Sequence, residues 1–273
     1  MANTIAILGA TGKTGRGIVQ HILAKEDWNL RIYVRSRSKL LDLFPDLLAS
    51  SRVFIFEGAL QNTENMTNCL DGAQRIVFTL GENENIPGVS VIEDGVKSVL
   101  AALARLRTAS REWHSPRIVF LSSSTWNPRF AAARPVLIHW LIKNAFIYPY
   151  ADLVRGQNRL LDNPDLVNVL LVQPGGLVED KPSGHEISVE SVRLATTYAD
   201  LASAFVDLAC TRDYDAVHAV GVSSKGGDNG LRYGPTLGGK IIKGICATYI
   251  PGFWTAYWFV NRLLSASAFR NEA

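Results

Sequence analysis

Three glycines stand at a G-x-x-G-x-x-G spacing in Gly9-Ala10-Thr11-Gly12-Lys13-Thr14-Gly15. Between a strand and a helix, such glycines have separate tasks. Gly9 permits a tight turn, Gly12 lets the backbone approach a pyrophosphate, and Gly15 lets the helix pack close to the strand. Phosphates there meet free N–H groups and the positive end of the helix dipole. Thr11, Lys13 and Thr14 belong to the same candidate cofactor-binding loop. About 20 positions later an acidic side chain would bind the ribose 2′-hydroxyl of NAD. This chain has Tyr33-Val34-Arg35-Ser36-Arg37-Ser38-Lys39 instead. Arg35 can grip a 2′-phosphate through charge-assisted bonds, with Ser36 and Arg37 adding donors, so the expected cofactor is NADP. Further along, Gly58-Ala59-Leu60 and Thr79-Leu80 are placed at strand ends to line the adenine and ribose.

Positioning those residues takes an alternating chain. Residues 4–8 form a short apolar run before the glycine turn, and Ile18, Val19, Ile22 and Leu23 then share one helix face. Strands are expected at residues 30–34, 52–57, 75–80, 117–122 and 167–173, with helices over 38–48 and around Val89–Leu103 (positions 89, 92, 96, 99, 100 and 103). Near-continuous apolar strands separated by helices predict a parallel sheet buried on both faces. With right-handed crossovers it is doubly wound, of Rossmann type, and ligands bind at the carboxyl ends of its strands. The expected organisation is α/β, one domain overall. Residues 1–175 form the NADP-binding core; residues 176–273 add remaining sheet elements and a small C-terminal substrate-covering region.

The composition agrees with an enzyme-sized core. The 273 residues are 47% hydrophobic and 19% charged, too apolar for disorder. A net charge of +3, with basic residues scattered, excludes nucleic acid as an expected partner. Cys69, Cys210 and Cys246 lie far apart, which gives neither a disulfide framework nor a metal site and suits a reducing, cytoplasmic compartment. No charged start with a long apolar run follows the first Met, so no secretory signal is expected. Residues 241–264 are apolar and aromatic but interrupted by Lys243, Gly244, Pro251, Gly252, Asn261 and Arg262. No membrane span is expected there; a buried segment or one wall of an apolar pocket is. A homo-oligomer is left open.

Taken together, the glycine loop, Val34-Arg35-Ser36-Arg37-Ser38-Lys39-Leu40, Phe120-Leu121-Ser122-Ser123-Ser124, Gln173-Pro174-Gly175-Gly176-Leu177 and Thr197-Tyr198-Ala199-Asp200-Leu201-Ala202 resemble the atypical short-chain dehydrogenase/reductases of the NmrA-like branch. Within it they resemble the fungal averufin-oxidase-A-type oxidoreductases of polyketide and aromatic secondary metabolism. The resemblance implies a Ser that orients the substrate oxygen, a Tyr that exchanges its proton, and a Lys four residues after the Tyr. A phenol with a pKa near 10 needs such a cation to work at neutral pH. Ser124 and, 26 residues on, Tyr150 are the catalytic candidates. The Lys is missing: Val154 stands four residues after Tyr150, and Arg155 points about 100° away.

The expected function is therefore an NADP-dependent oxidoreductase acting on a bulky, polycyclic aromatic intermediate of fungal secondary metabolism. The broken Tyr/Lys pair keeps open a non-redox isomerase or cyclase on the same fold, and the resemblance keeps open a non-catalytic dinucleotide sensor. Other candidates are weaker. Asp200 is expected to N-cap an apolar helix, and His139, His185 and His218 lack metal spacing. His139-Trp140 could touch substrate. Phe253, Trp254, Tyr257 and Trp258 are either core or a surface for a flat aromatic molecule.

Overall fold

The computed structural model describes residues 3–132 and 134–270. It opens with β1 (Asn3–Leu8), α1 (Lys13–Leu23), β2 (Trp28–Val34), α2 (Arg37–Leu43), β3 (Val53–Glu57), α3 (Thr63–Leu70), β4 (Arg75–Phe78), α4 (Val91–Ala109) and β5 (Arg117–Leu121). Three helices follow, α5 (Pro128–Ala131), α6 (Val136–Ala145) and α7 (Ile147–Leu161), before β6 (Asn168–Pro174). The remainder is β7 (Gly176–Val178), β8 (His185–Ser188), β9 (Ala195–Thr197), α8 (Tyr198–Cys210), β10 (Ala219–Ser224), α9 (Gly230–Tyr249) and α10 (Phe253–Arg270).

Eight strands form one sheet in the order β3-β2-β1-β4-β5-β6-β10-β8, parallel except for β8, which runs antiparallel to β10. β7 and β9 pair separately. Successive side chains of a strand face opposite sides, and here both sides are apolar. Ile5 and Ile7 pack with α1 and α8 through Ile18, Ile22, Leu201 and Phe205. Ala6 and Leu8 pack on the other side with Met66, Val96 and Leu160 of α3, α4 and α7. The chain starts mid-sheet, winds outward to β3, then crosses back to β4. The carboxyl ends of β1 and β4 are thus the switch point, where a doubly wound sheet opens a crevice. At the β3 rim, Phe54 is exposed and the Arg31 guanidinium lies 5.7 Å from the centre of its ring and 5.6 Å from that of Phe56.

The expected doubly wound α/β sheet is present, and some boundaries move. The helix expected over 38–48 is α2 followed by a 3-10 turn at Pro45–Ala49; Pro45 has no N–H to continue the helix. Strand alternation continues beyond residue 175, since β10 joins β6 in the main sheet and β8 joins β10. The helix after Gln173 is capped by Thr197, whose side chain accepts from the Asp200 amide at 3.0 Å, so Asp200 is not the N-cap. Asp200 instead accepts from the Ser183 and Gly184 amides and the Ser224 hydroxyl. Residues 241–264 are divided between α9 and α10 by a turn at Pro251-Gly252, with Gly252 at φ 74°. Among the described residues no helix is long and apolar enough to cross a membrane.

Candidate cofactor and active site

The glycine loop sits on the carboxyl end of β1, against Thr79 at the end of β4. Gly9 has φ 96°, and a Cβ built on it would lie 2.7 Å from Thr79. Thr79 is fixed by its own amide and hydroxyl, both donating to the Leu8 carbonyl at 2.9 and 3.1 Å. A Cβ on Gly15 would fall onto the Gly9 carbonyl oxygen, so this glycine is what lets α1 pack against β1. Gly12 differs. Its Cβ would meet the Gly9 oxygen alone, in a tight contact of 3.3 Å, with no other atom within 4 Å.

Gly12 caps α1 with no side-chain hydrogen bond, and the first turn holds no acidic residue. The N–H groups there have no anionic partner on their own helix, so the loop fits a diphosphate. Lys13 leaves the loop sideways, paired with Glu179 and lying 5.4 Å from the Tyr198 ring centre. Thr14 is buried, while Thr11 is partly accessible in the turn.

Past β2, the arginine segment curls over the end of β3. Ser36 caps α2 by accepting from the Lys39 amide at 3.2 Å, and the Arg37 amide donates to Glu57 Oε1 at 3.0 Å. The Arg35 side chain is exposed and makes no hydrogen bond or ion pair among the described residues. Sequence reasoning missed Glu57, a carboxylate beside this basic loop. Gly58 and Ala59 have a packing reason of their own. The Tyr33 hydroxyl donates to the Ala59 carbonyl at 2.8 Å, and a Cβ on Gly58 would lie 2.6 Å from it. Leu60 and Leu80 pack against the core on the α4 side.

At the end of β5 the chain turns through Ser124–Trp126, and this turn decides which hydroxyls meet Tyr150. Tyr150 Oη lies 3.3 Å from Ser123 Oγ and 3.2 Å from Thr125 Oγ1. Ser124, the sequence candidate, is 1% exposed, and its Oγ accepts from Arg134 Nη2 at 3.4 Å. The structure thus brings Tyr150 to Ser123 and Thr125 and turns Ser124 towards Arg134. Trp126 and Phe146 close around the Tyr150 ring, at centroid distances of 5.9 and 5.8 Å. Ser122 donates to Gln157 Oε1 at 2.7 Å. Asn127 donates to Gln173 Oε1 at 2.8 Å, fixing the neighbouring strand ends.

Tyr150 is held in place by α7. Pro149 falls in the first turn of that helix, where its missing N–H costs no bond, and the Tyr150 amide donates to Phe146. Asp152, fully buried, accepts from the Ile92 and Glu93 amides at 2.9 Å and so caps α4. Arg155 and Arg159 both bind Glu93. Lys97, these arginines and their hydrogen bonds hold the Glu93 carboxyl down at about 2. Arg155 is therefore occupied away from Tyr150, as its helical angle implies. The cation facing this region is Arg134, whose Nη1 donates to Thr125 Oγ1 at 3.2 Å. No sequence spacing marks it, because it reaches the site from the bend between α5 and α6. His139 lies nearby with Nδ1 buried and unpartnered; burial, then Lys143 and Arg134, push its pKa down. Phe253, Trp254, Tyr257 and Trp258 cluster within α10, Phe253 stacked on Tyr257 and the other pairs edge-on or tilted, with Lys243 over two of the rings. Among the described residues no cluster of His, Cys, Asp and Glu could hold a metal ion.

Comparison with known proteins agrees with the fold. Residues 9–211 match the family described as NAD(P)H-binding. Oxidoreductase ordB of Dothistroma septosporum is 30% identical over 92% of this chain and 92% of its own. Oxidoreductase stcQ of Emericella nidulans is 34% identical over 76% of this chain and 77% of its own. A short-chain dehydrogenase/reductase from Veillonella parvula, solved in complex with NADP, superposes with a TM-score of 0.65 at 20% identity, covering 84% of this chain and 97% of that one.

Proposed function

This chain belongs to the NAD(P)H-binding family, and from that premise we propose that it is an NADP-dependent oxidoreductase acting on a bulky aromatic intermediate of fungal secondary metabolism. The observation that carries the proposal is a pair of unmet demands at the switch point. The start of α1 has N–H donors and no acidic side chain in its first turn, and Arg35 stands beyond β2 with its guanidinium unpaired among the described residues. A diphosphate with a 2′-phosphorylated ribose satisfies both. Gly9, Thr11, Gly12, Lys13, Thr14 and Gly15 would hold the diphosphate, Arg35 and Arg37 the 2′-phosphate, and Gly58, Ala59, Leu60, Thr79 and Leu80 the adenosine side.

When bound, NADPH supplies hydride to a substrate carbonyl carbon. The chain's own task is to hold the carbonyl oxygen and protonate it. Tyr150 Oη would take this role, with Ser123 and Thr125 beside it as orienting hydroxyls. Trp126 and Phe146 would offer aromatic surface to a flat substrate beside the phenol. A second reading, isomerisation or cyclisation without net redox, is favoured by one observation: Val154 occupies the place of the expected Lys.

Fluorescence titration with NADPH and NADH tests the cofactor. Arg35→Ala should weaken NADPH binding about tenfold or more and leave NADH nearly unchanged. Equal losses for both would remove the NADP assignment. Incubation with NADPH and a panel of anthraquinones separates the two chemistries: NADPH loss supports reduction, and product without loss supports isomerisation.

A further inference from the structure

A phenol near its ordinary pKa of about 10 is a weak acid/base at neutral pH unless its anion is stabilised. Tyr150 has Val154 where a cation one helical turn on would do this. We propose that Arg134, acting through the Thr125 hydroxyl, is the positioning cation that favours the Tyr150 phenolate in this chain. The proposal deepens the acid/base reading of Tyr150 and rests on it.

Hydrogen-bond directions support it. A guanidinium can only donate, so Arg134 Nη1 at 3.2 Å takes an acceptor site of Thr125 Oγ1. The Thr125 O–H is then free to donate to Tyr150 Oη, also 3.2 Å away. Ser123 Oγ accepts from the Thr125 amide at 3.3 Å, which likewise leaves its O–H for Tyr150 Oη at 3.3 Å. Two hydroxyls able to donate thus flank a single phenol oxygen, with one positive charge behind Thr125. The second guanidinium nitrogen reaches Ser124 Oγ at 3.4 Å, which fixes the fork. Arg134 is half-buried, and burial lowers its proton affinity while Tyr150 pulls the other way. An arginine stays cationic at neutral pH in either case.

The other charged groups around Tyr150 are engaged elsewhere. On α6, Lys143 lies 4.5 Å from the Trp126 ring centre, and His139 faces Lys143 and Arg134. On α7, Asp152 is tied to the Ile92 and Glu93 amides and Arg155 to Glu93. In the acid step the Tyr150 O–H bond breaks as an O–H bond forms on the substrate oxygen. The phenolate left behind is what Arg134 and the two hydroxyls stabilise, until a proton from solvent restores it.

The test needs no substrate. Protein carrying ¹³Cζ-labelled tyrosine is titrated by NMR, and Tyr150→Phe identifies the resonance. Arg134→Met should move the Tyr150 titration midpoint up by about one pH unit or more. Arg134→Lys, which keeps the charge, should restore most of that shift, and Thr125→Val should move the midpoint partway. An unchanged midpoint in a folded Arg134→Met protein overturns the proposal, as does a lysine variant that behaves like the methionine one. NADPH binding is measured on the same samples. Loss of binding in the parent protein would refute the cofactor reading while leaving the titration result to stand on its own.

Discussion

Gly12 and Gly15 are three residues apart and are glycines for different reasons. Gly15 has no room for a Cβ, because the Gly9 carbonyl oxygen occupies that place. Gly12 is less tightly constrained: a Cβ there would meet the Gly9 oxygen at 3.3 Å, a contact that asks for a shift of a few tenths of an ångström, and its backbone at φ −76° is one alanine adopts freely. Gly15→Ala should therefore cost about 2 kcal/mol or more of stability by overpacking, read as a lower melting temperature. Gly12→Ala should change melting by much less and weaken NADPH binding severalfold, because its Cβ enters the space left for the diphosphate. Equal effects on melting would refute the distinction. At the other end of the crevice, the hydroxyls around Tyr150 sort by turn geometry. Ser123→Ala and Thr125→Val should each lower turnover about tenfold or more, and Ser124→Ala by at least tenfold less. The sequence shows a serine run closing a strand. Which serine faces the tyrosine depends on the 3-10 turn at Ser124–Trp126, which no periodicity encodes. Arg134 was hidden for a related reason: it lies in the bend between α5 and α6 and reaches Tyr150, 16 residues on, only through Thr125.

Among the elements, the pairing of α4 with α7 matters most for the site, since α7 carries Tyr150. Apolar spacing made α4 legible, because Val96, Val99 and Leu103 recur at helical intervals. Their polar connection was not legible. Glu93 is held by Lys97, Arg155 and Arg159, and Asp152 caps α4 across the interface. The Glu93 carboxyl sits at about 2, against its ordinary 4.5. A depressed acid stabilises the fold fully above its unfolded-state value, and the benefit disappears as pH falls through the folded-state value. Stability should therefore decline between about pH 4.5 and 2 in the parent protein. Glu93→Gln should lose about 2 kcal/mol at pH 7 and show a flatter acid limb over that window. Chemical denaturation at several pH values measures both, and an unchanged acid limb would show that Glu93 carries no such load.

Across the molecule, the sheet does not respect a boundary at residue 175. β10 pairs with β6, and α8 closes the layer over β1, so the parts before and after that point share one core. A fragment of residues 1–175 should fail to fold, leaving β6 without its neighbour and Ile18 and Ile22 without Leu201 and Phe205. A dispersed NMR spectrum from that fragment would contradict this. The strand-helix alternation through β6 was readable because parallel strands buried on both faces are near-continuous apolar runs. The later strands were not, since β7, β8 and β9 are three or four residues long and their partners lie far along the chain. The Arg31 guanidinium over Phe54 and Phe56 has a further effect on how the protein lives among its copies. A bare margin of this kind invites another chain to add itself as one more ribbon, and here any such newcomer must first strip water from a fixed cation. That cost works against the addition of a further strand at β3.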